Sequence, residues 1–161
     1  MTAPNAPPRA SKDHRPAPRS RAHSPAVLPA PQPTMVRLAR ACLTARHATG
    51  VDAVLWEARQ HPMPDQAAID AVIAASDRAQ QGAGAPPSTM ELAAALVTLS
   101  AIRLDLDQTE VRLLNTAQAG GLDFEQIAAI LGLSVHDTEI RYRSLKPRLD
   151  EPTDPRSFAQ R

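Results

Sequence analysis

The run Gly121-Leu122-Asp123-Phe124-Glu125-Gln126-Ile127-Ala128-Ala129-Ile130-Leu131-Gly132-Leu133-Ser134 leaves little choice of local structure. Asp123 can accept hydrogen bonds from the orphan amides of a first helical turn, and Gln126, three residues on, completes a capping box. Phe124, Ile127, Ala128 and Leu131 then recur at intervals of three and four, which puts them on one helical face, with Ala128 small enough for a second helix to approach closely. Gly132 enters a left-handed backbone conformation without steric cost, so the chain turns sharply before Leu133 returns to the core and Ser134 caps the next helix. The spacing predicts a helix, a three-residue turn and a second helix, that is, a helix-turn-helix.

The second helix is expected from about Val135 to Lys146. Thr138, Tyr142, Leu145 and Leu149 fall inward, whereas His136, Asp137, Glu139, Ile140, Arg141, Arg143 and Ser144 fall outward. In DNA-binding proteins of this geometry the second helix enters the major groove with its early residues near base edges, and basic side chains further along meet phosphates. On that basis Val135, His136, Asp137, Ile140, Arg141 and Ser144 are the groove-facing candidates, and Arg143, Lys146 and Arg148 the phosphate contacts. Residues 141–148 contain these four basic side chains and no acid. Asp137 and Glu139 oppose phosphate but can accept from a cytosine amino group. Pro147 removes an amide donor and clashes with the carbonyl four residues back, so the helix should stop or kink near Lys146.

Residues 104–149, from Leu104-Asp105-Leu106-Asp107 through Leu149, resemble the C-terminal helix-turn-helix region of bacterial sigma factors, without a gap through Ile127-Ala128 and Leu131-Gly132-Leu133-Ser134-Val135. More narrowly, residues 88–150 resemble small helix-turn-helix regulators of high-GC bacteria, some of them regulators of heat-shock genes. In those proteins a Leu-rich helix precedes a motif ending in Glu-x-Arg-Tyr, here Glu139-Ile140-Arg141-Tyr142. The resemblance implies DNA binding in transcription control. Two features depart from the pattern: Val135-His136-Asp137 stands where the relatives usually begin the recognition helix with arginines, and Pro147 replaces a helix-compatible residue. The chain has no upstream aromatic-rich promoter-melting region, which excludes a full sigma factor.

At 161 residues the chain suits a single domain, and nine of its sixteen prolines fall in residues 1–34. Residues 1–33 have too few branched apolar side chains to offset the entropy of ordering and are expected to form a disordered tail. Arg9, Lys12, Arg15, Arg19 and Arg21 against Asp13 make that tail basic, which attracts phosphate without reading sequence. The whole chain is only +1, and residues 88–161 hold eight basic against eleven acidic side chains. Bulk charge therefore argues against nucleic acid. A groove senses the local field within a Debye length of ~8 Å, however, and the basic residues cluster.

The single cysteine, Cys42, excludes an internal disulfide and a multi-cysteine zinc site, and fits a reducing cytoplasm. Cys42 and His47 are five apart on an expected helix, which turns them away from a shared ion, and no other histidine pairing suggests a metal or cofactor. No apolar run approaches the ~18 residues that cross a bilayer, so no membrane partner is expected. A glycine-rich phosphate loop, a nucleophile beside a base and a carboxylate pair in a dry cleft are all missing, which argues against an enzyme.

Upstream, Thr34 is the expected cap of a helix with Met35, Leu38, Ala39 and Cys42 on its inner stripe, ending by Gly50. Val51, Val54 and Leu55 share a face of a short segment that stops at His61-Pro62-Met63-Pro64; Trp56, at its edge, either packs inward or marks a partner surface. A third helix is expected from about Asp65 to Gln80, with Ile69, Val72 and Ile73 apolar, so that residues 34–82 form a helical region. After the Gly-Pro stretch Gly82 to Pro87, Ser88-Thr89-Met90-Glu91 is a capping box for a long helix reaching about Leu104, with Leu92, Leu96, Leu99 and Ile102 on one stripe. Asp107-Gln108-Thr109-Glu110 offers a second box for another helix, ended by Gly120-Gly121. No strand pattern occurs. The expectation is an all-α chain: a helix-turn-helix domain over residues 88–149 and a flexible tail over 150–161.

Two functional readings result. One is a transcription factor that binds double-stranded DNA, with a homodimer as the economical way to gain affinity from few phosphate contacts. The other is a sigma-like interaction module that docks on RNA polymerase or a sigma factor. An uncovered apolar stripe on residues 88–104 would favour the second. With only four aromatic residues, single-stranded nucleic acid is a poor fit, and Phe124 and Tyr142 fall on inward stripes.

Overall fold

Among the described residues, each helix begins at a proline, a glycine or a side-chain cap. The structure, a computed structural model, describes residues 28–153. The tail expected over residues 1–33 lies outside the described residues as far as residue 27, and so does residue 154 onward of the expected C-terminal tail. The elements are α1 (Pro33–His47), α2 (Gly50–Arg59), α3 (Asp65–Gln80), α4 (Thr89–Ala119), α5 (Phe124–Leu131), α6 (Val135–Leu145) and a closing 3₁₀ helix (Lys146–Asp150). Among the described residues there is no strand, so the fold is all-α.

α1 opens with Pro33 in its first turn, where the missing amide is one the helix leaves unpaired anyway; Thr34 is not its cap. Its buried stripe is Val36, Ala39, Arg40, Leu43 and Thr44. That is a correction of the expected stripe, for Met35 and Leu38 are exposed and Cys42 is half-buried. The displacement is possible because the two polar members of the true stripe are satisfied. Arg40 clamps the Asp65 carboxylate at the start of α3 with Nε at 2.8 Å, and Thr44 Oγ1 accepts from the Met63 amide at 3.1 Å while donating to the Arg40 carbonyl at 2.7 Å. Ala39, Leu43, Met63, Ala68, Val72 and Ala94 close this core between α1, α3 and α4. α2 contacts only α1, buries no residue, and ends on Gln60, which holds φ 52° without being glycine. Trp56 on it is half-buried.

α4 is one helix of 31 residues, not two. Between Thr89 and Ala119 there is no glycine or proline to break it, and the second capping box does not form. Asp107 instead meets Arg148, and Thr109 Oγ1 bonds back to the Asp105 carbonyl at 2.7 Å. The first half of α4 packs on α1 and α3; the second half packs on α5, α6 and the 3₁₀ helix. Its buried face is Glu91, Ala94, Thr98, Ala101, Leu104, Gln108, Val111 and Leu114, whereas Leu92 and Leu96, expected to share an apolar stripe, are exposed.

The box at its start does form. Ser88 Oγ accepts from the Glu91 amide at 3.2 Å, and the Glu91 carboxylate accepts from Ser88 Oγ at 2.6 Å and from the Ser88 amide at 2.8 Å. These bonds to Ser88, the side-chain one first, hold the Glu91 carboxyl below its ordinary value against the opposing effect of burial, with help from Arg46 and His47. A lowered folded-state pKa means that the unfolded chain takes up the proton first as pH falls. The stabilisation is therefore complete above the ordinary glutamate range and lost as pH drops through the folded value. Thermal melts of the parent and Glu91→Gln should differ most near neutral pH and converge in acid. At the other end, Gly132 holds φ 67° with nothing within 4 Å of an added Cβ, so Gly132→Ala should cost about 1–2 kcal/mol of conformational strain in urea unfolding, with no steric addition.

Candidate nucleic-acid interface

The connection from α5 to α6 is fixed by backbone and caps together. Asp123 and Gln126 complete their box, the Gln126 amide donating to Asp123 Oδ1 at 2.8 Å and the Asp123 amide to Gln126 Oε1 at 3.0 Å. At the far end the Leu133 amide reaches the Ala128 carbonyl at 3.0 Å and the Gly132 amide the Ala129 carbonyl at 3.4 Å, around Gly132 in the left-handed region. This is the paired closure that satisfies a helix's last carbonyls. Ser134 then starts α6: its Oγ accepts from the Asp137 amide at 3.0 Å and donates to the Asp137 carboxylate at 2.7 Å. Three residues, Gly132 to Ser134, thus separate the two helices.

The inner side of α6 is held at three levels. Thr138 and Leu145 are buried, and the Tyr142 ring meets Phe124 edge-on, centroids 5.8 Å apart at 60°. The Tyr142 hydroxyl donates to Asn115 Oδ1 on α4 at 2.7 Å. Phe124 and Tyr142 are both half-buried. Of the expected contact residues, Val135, His136, Asp137, Arg141, Arg143, Ser144 and Lys146 are exposed, and Ile140 is half-buried. All but Lys146, which opens the 3₁₀ helix, lie on α6 away from its buried Thr138 and Leu145, with Asp137 committed to the cap.

The basic side chains differ in freedom. Arg143, 69% exposed, pairs with Glu139 one turn back at 2.7 Å. Lys146 holds its ammonium 5.8 Å from the Tyr142 ring centroid, a cation–π contact. Arg141 forks onto Glu110 of α4 through Nε and through a second nitrogen at 2.6 Å, and that hydrogen bonding pushes its guanidinium further above the ordinary arginine value.

Arg148 is the exception. At 5% side-chain exposure it lies against Asp107 of α4 at 3.2 Å and Glu151 at 2.6 Å, so it is not on the outer surface where a phosphate contact was expected. Its carbonyl accepts from Gln108 Nε2 at 2.8 Å, which also donates to the Glu151 carbonyl at 3.0 Å. The cause is Pro147. It ends the α-helix at Leu145, as expected, and the tighter 3₁₀ winding beyond it eclipses residues three apart, which lines Arg148 up with buried Leu145. Asp107, Glu110 and Asn115, which govern the orientation of α6 and its arginines, gave no separate signal in the sequence, since two of them read as a cap.

Among the described residues no three metal-ligating side chains cluster, and no helix is long and apolar enough to cross a membrane. No protein-family model, no curated protein and no solved structure matches the chain.

Burial separates the two arginines in energy. Removing one member of a buried pair strands the other charges and costs ~3–5 kcal/mol, whereas an exposed pair contributes only ~0.2–1 kcal/mol. Asp107 and Glu151 keep some water, so Arg148→Ala should lower stability by about 3 kcal/mol, the low end of that range, and Arg141→Ala by under about 1 kcal/mol; parallel urea titrations measure both.

Proposed function

We propose that this protein is a DNA-binding transcriptional regulator of the cytoplasm, in which α5, the Gly132 turn and α6 act as a helix-turn-helix, with the second half of α4 as the third helix. The observation that carries the reading is the two-sidedness of α6. Its inner side is pinned by Thr138, Tyr142 and Leu145, while the opposite side leaves His136, Arg143 and Ser144 uncovered, and Lys146 follows at the start of the 3₁₀ helix. A helix held this way can lie along a major groove with no rearrangement of the fold.

The ion pairs of Arg141 and Arg143 do not oppose this. Pairs at such exposure are worth ~0.2–1 kcal/mol, and an incoming phosphate offers a charge-assisted, bidentate replacement. Arg148 is left out of the interface by its burial. His136 and Ser144 can donate to base edges or phosphates, and Val135 and Ile140 can meet thymine methyl groups. The basic side chains of residues 1–27 add attraction that is blind to sequence.

A second reading, docking on RNA polymerase or a sigma factor, is favoured by the uncovered leucines of α4. Fluorescence anisotropy of a labelled duplex over a series of salt concentrations separates the two. The double variant Arg143→Glu/Lys146→Glu should bind more weakly and flatten the log–log salt slope by roughly 0.9 for each phosphate it no longer neutralises. An unchanged affinity and slope would reject the DNA reading.

A further inference from the structure

The carboxylates on and beside α6 are not equally free. Glu110 of α4 gives both of its oxygens to Arg141, and Asp137 accepts from the Ser134 hydroxyl as part of the cap. Glu139 is different. Its Oε2 accepts from Arg143 Nη2 at 2.7 Å, while Oε1 takes no hydrogen bond from the described residues, and the side chain is 34% exposed. Arg143 in turn uses only Nη2 on Glu139, which leaves Nε and Nη1 to be engaged from outside. His136, Glu139, Ile140 and Arg143 stand at positions i, i+3, i+4 and i+7, the spacing of one helical stripe.

We propose that Glu139 reads a cytosine in the major groove, with Arg143 as the residue that positions it. The role rests on the duplex reading of α6 and adds the base which that helix selects. In the major groove only the amino groups of cytosine and adenine donate hydrogen bonds; guanine and thymine present acceptors there. A carboxylate accepts and never donates, so Glu139 is limited to those two bases. Adenine's amino group stands beside the N7 acceptor, which repels a carboxylate oxygen, whereas cytosine's stands beside a C–H. Cytosine is therefore the better match.

The need for Arg143 is electrostatic. A bare carboxylate entering a groove walled by phosphates is repelled on its approach. Arg143, bonded to Oε2, cancels that charge and restrains the side chain, so Oε1 arrives as the open acceptor of a neutral pair. Nε and Nη1 of Arg143 reach for phosphate without giving up Glu139, and Lys146 follows at the start of the 3₁₀ helix. Reading a base and holding the backbone thus fall to different atoms of neighbouring side chains. Asp137 is a poorer reader than Glu139, because its shorter side chain is tied to Ser134.

Selection of bound duplexes from a randomised pool by the full chain, read by sequencing, tests the assignment. The sites that the parent recovers should share a C·G pair at one position. Glu139→Gln should move that position to A·T, since a carboxamide donates and accepts in the pattern of adenine N7 and N6. In anisotropy titrations of the two duplexes, the parental preference for cytosine over adenine should fall by about fivefold or more in that variant. Arg143→Ala should lose the preference, and Arg143→Lys, which still reaches Glu139 one turn back, should keep it. Lys146→Glu should weaken binding to both duplexes alike, as a phosphate contact does. Parental sites with no common C·G pair, Glu139→Gln sites unchanged from the parental ones, or Arg143→Ala sites that keep the cytosine would overturn the proposal and spare duplex binding. A parent that binds no duplex would sink both.

Discussion

Every part of this fold leans on the continuity of α4. Its 31 residues are the only element touched by both groups of helices, and among the described residues no element of α1–α3 contacts α5, α6 or the 3₁₀ helix. Continuity comes from local chemistry. A reciprocal cap at Ser88 and Glu91 starts the helix, no breaker interrupts it before Gly120, and Asp107, which resembles a new start, is held by Arg148 instead. A break near Asp107 would leave two small helical clusters, each short of the buried surface that a domain of this size needs.

Polar groups do structural work here in proportion to how dry they are. Arg40 and Arg148 are both buried, Arg40 forking onto the two oxygens of Asp65 and Arg148 spanning Asp107 and Glu151, so each ties one helix to another at a defined register. Arg141 and Arg143 make pairs of similar geometry in water and contribute little stability. The same residue type therefore serves as a fastener in the first two positions and as an exchangeable surface charge in the others. On a chain whose net charge is only +1, α6 itself is balanced, with Arg141 and Arg143 against Asp137 and Glu139.

The helix boundaries governed by glycine, proline and short polar caps were legible in the sequence: Asp123, Gly132, Ser134 and Pro147 act where their chemistry says they should. Faces were less legible. On α1 and α4 the buried stripe includes Arg40, Thr44, Glu91, Thr98 and Gln108, and apolar periodicity passes over such residues. It points the leucines of α4 inward because hydrophobic spacing cannot tell a buried stripe from an exposed one. Arg148 was misplaced for a different reason. Its orientation depends on a change from α to 3₁₀ winding, and proline announces the end of a helix without saying which geometry replaces it.

The missing contact between the first three helices and the last two has a mechanical meaning. Apart from Pro152 and Thr153, which lie beside Pro33, Val36 and Arg40 of α1, whatever grips α1 or α3 is joined to α6 through one helix. The two groups of helices are strung on one shaft.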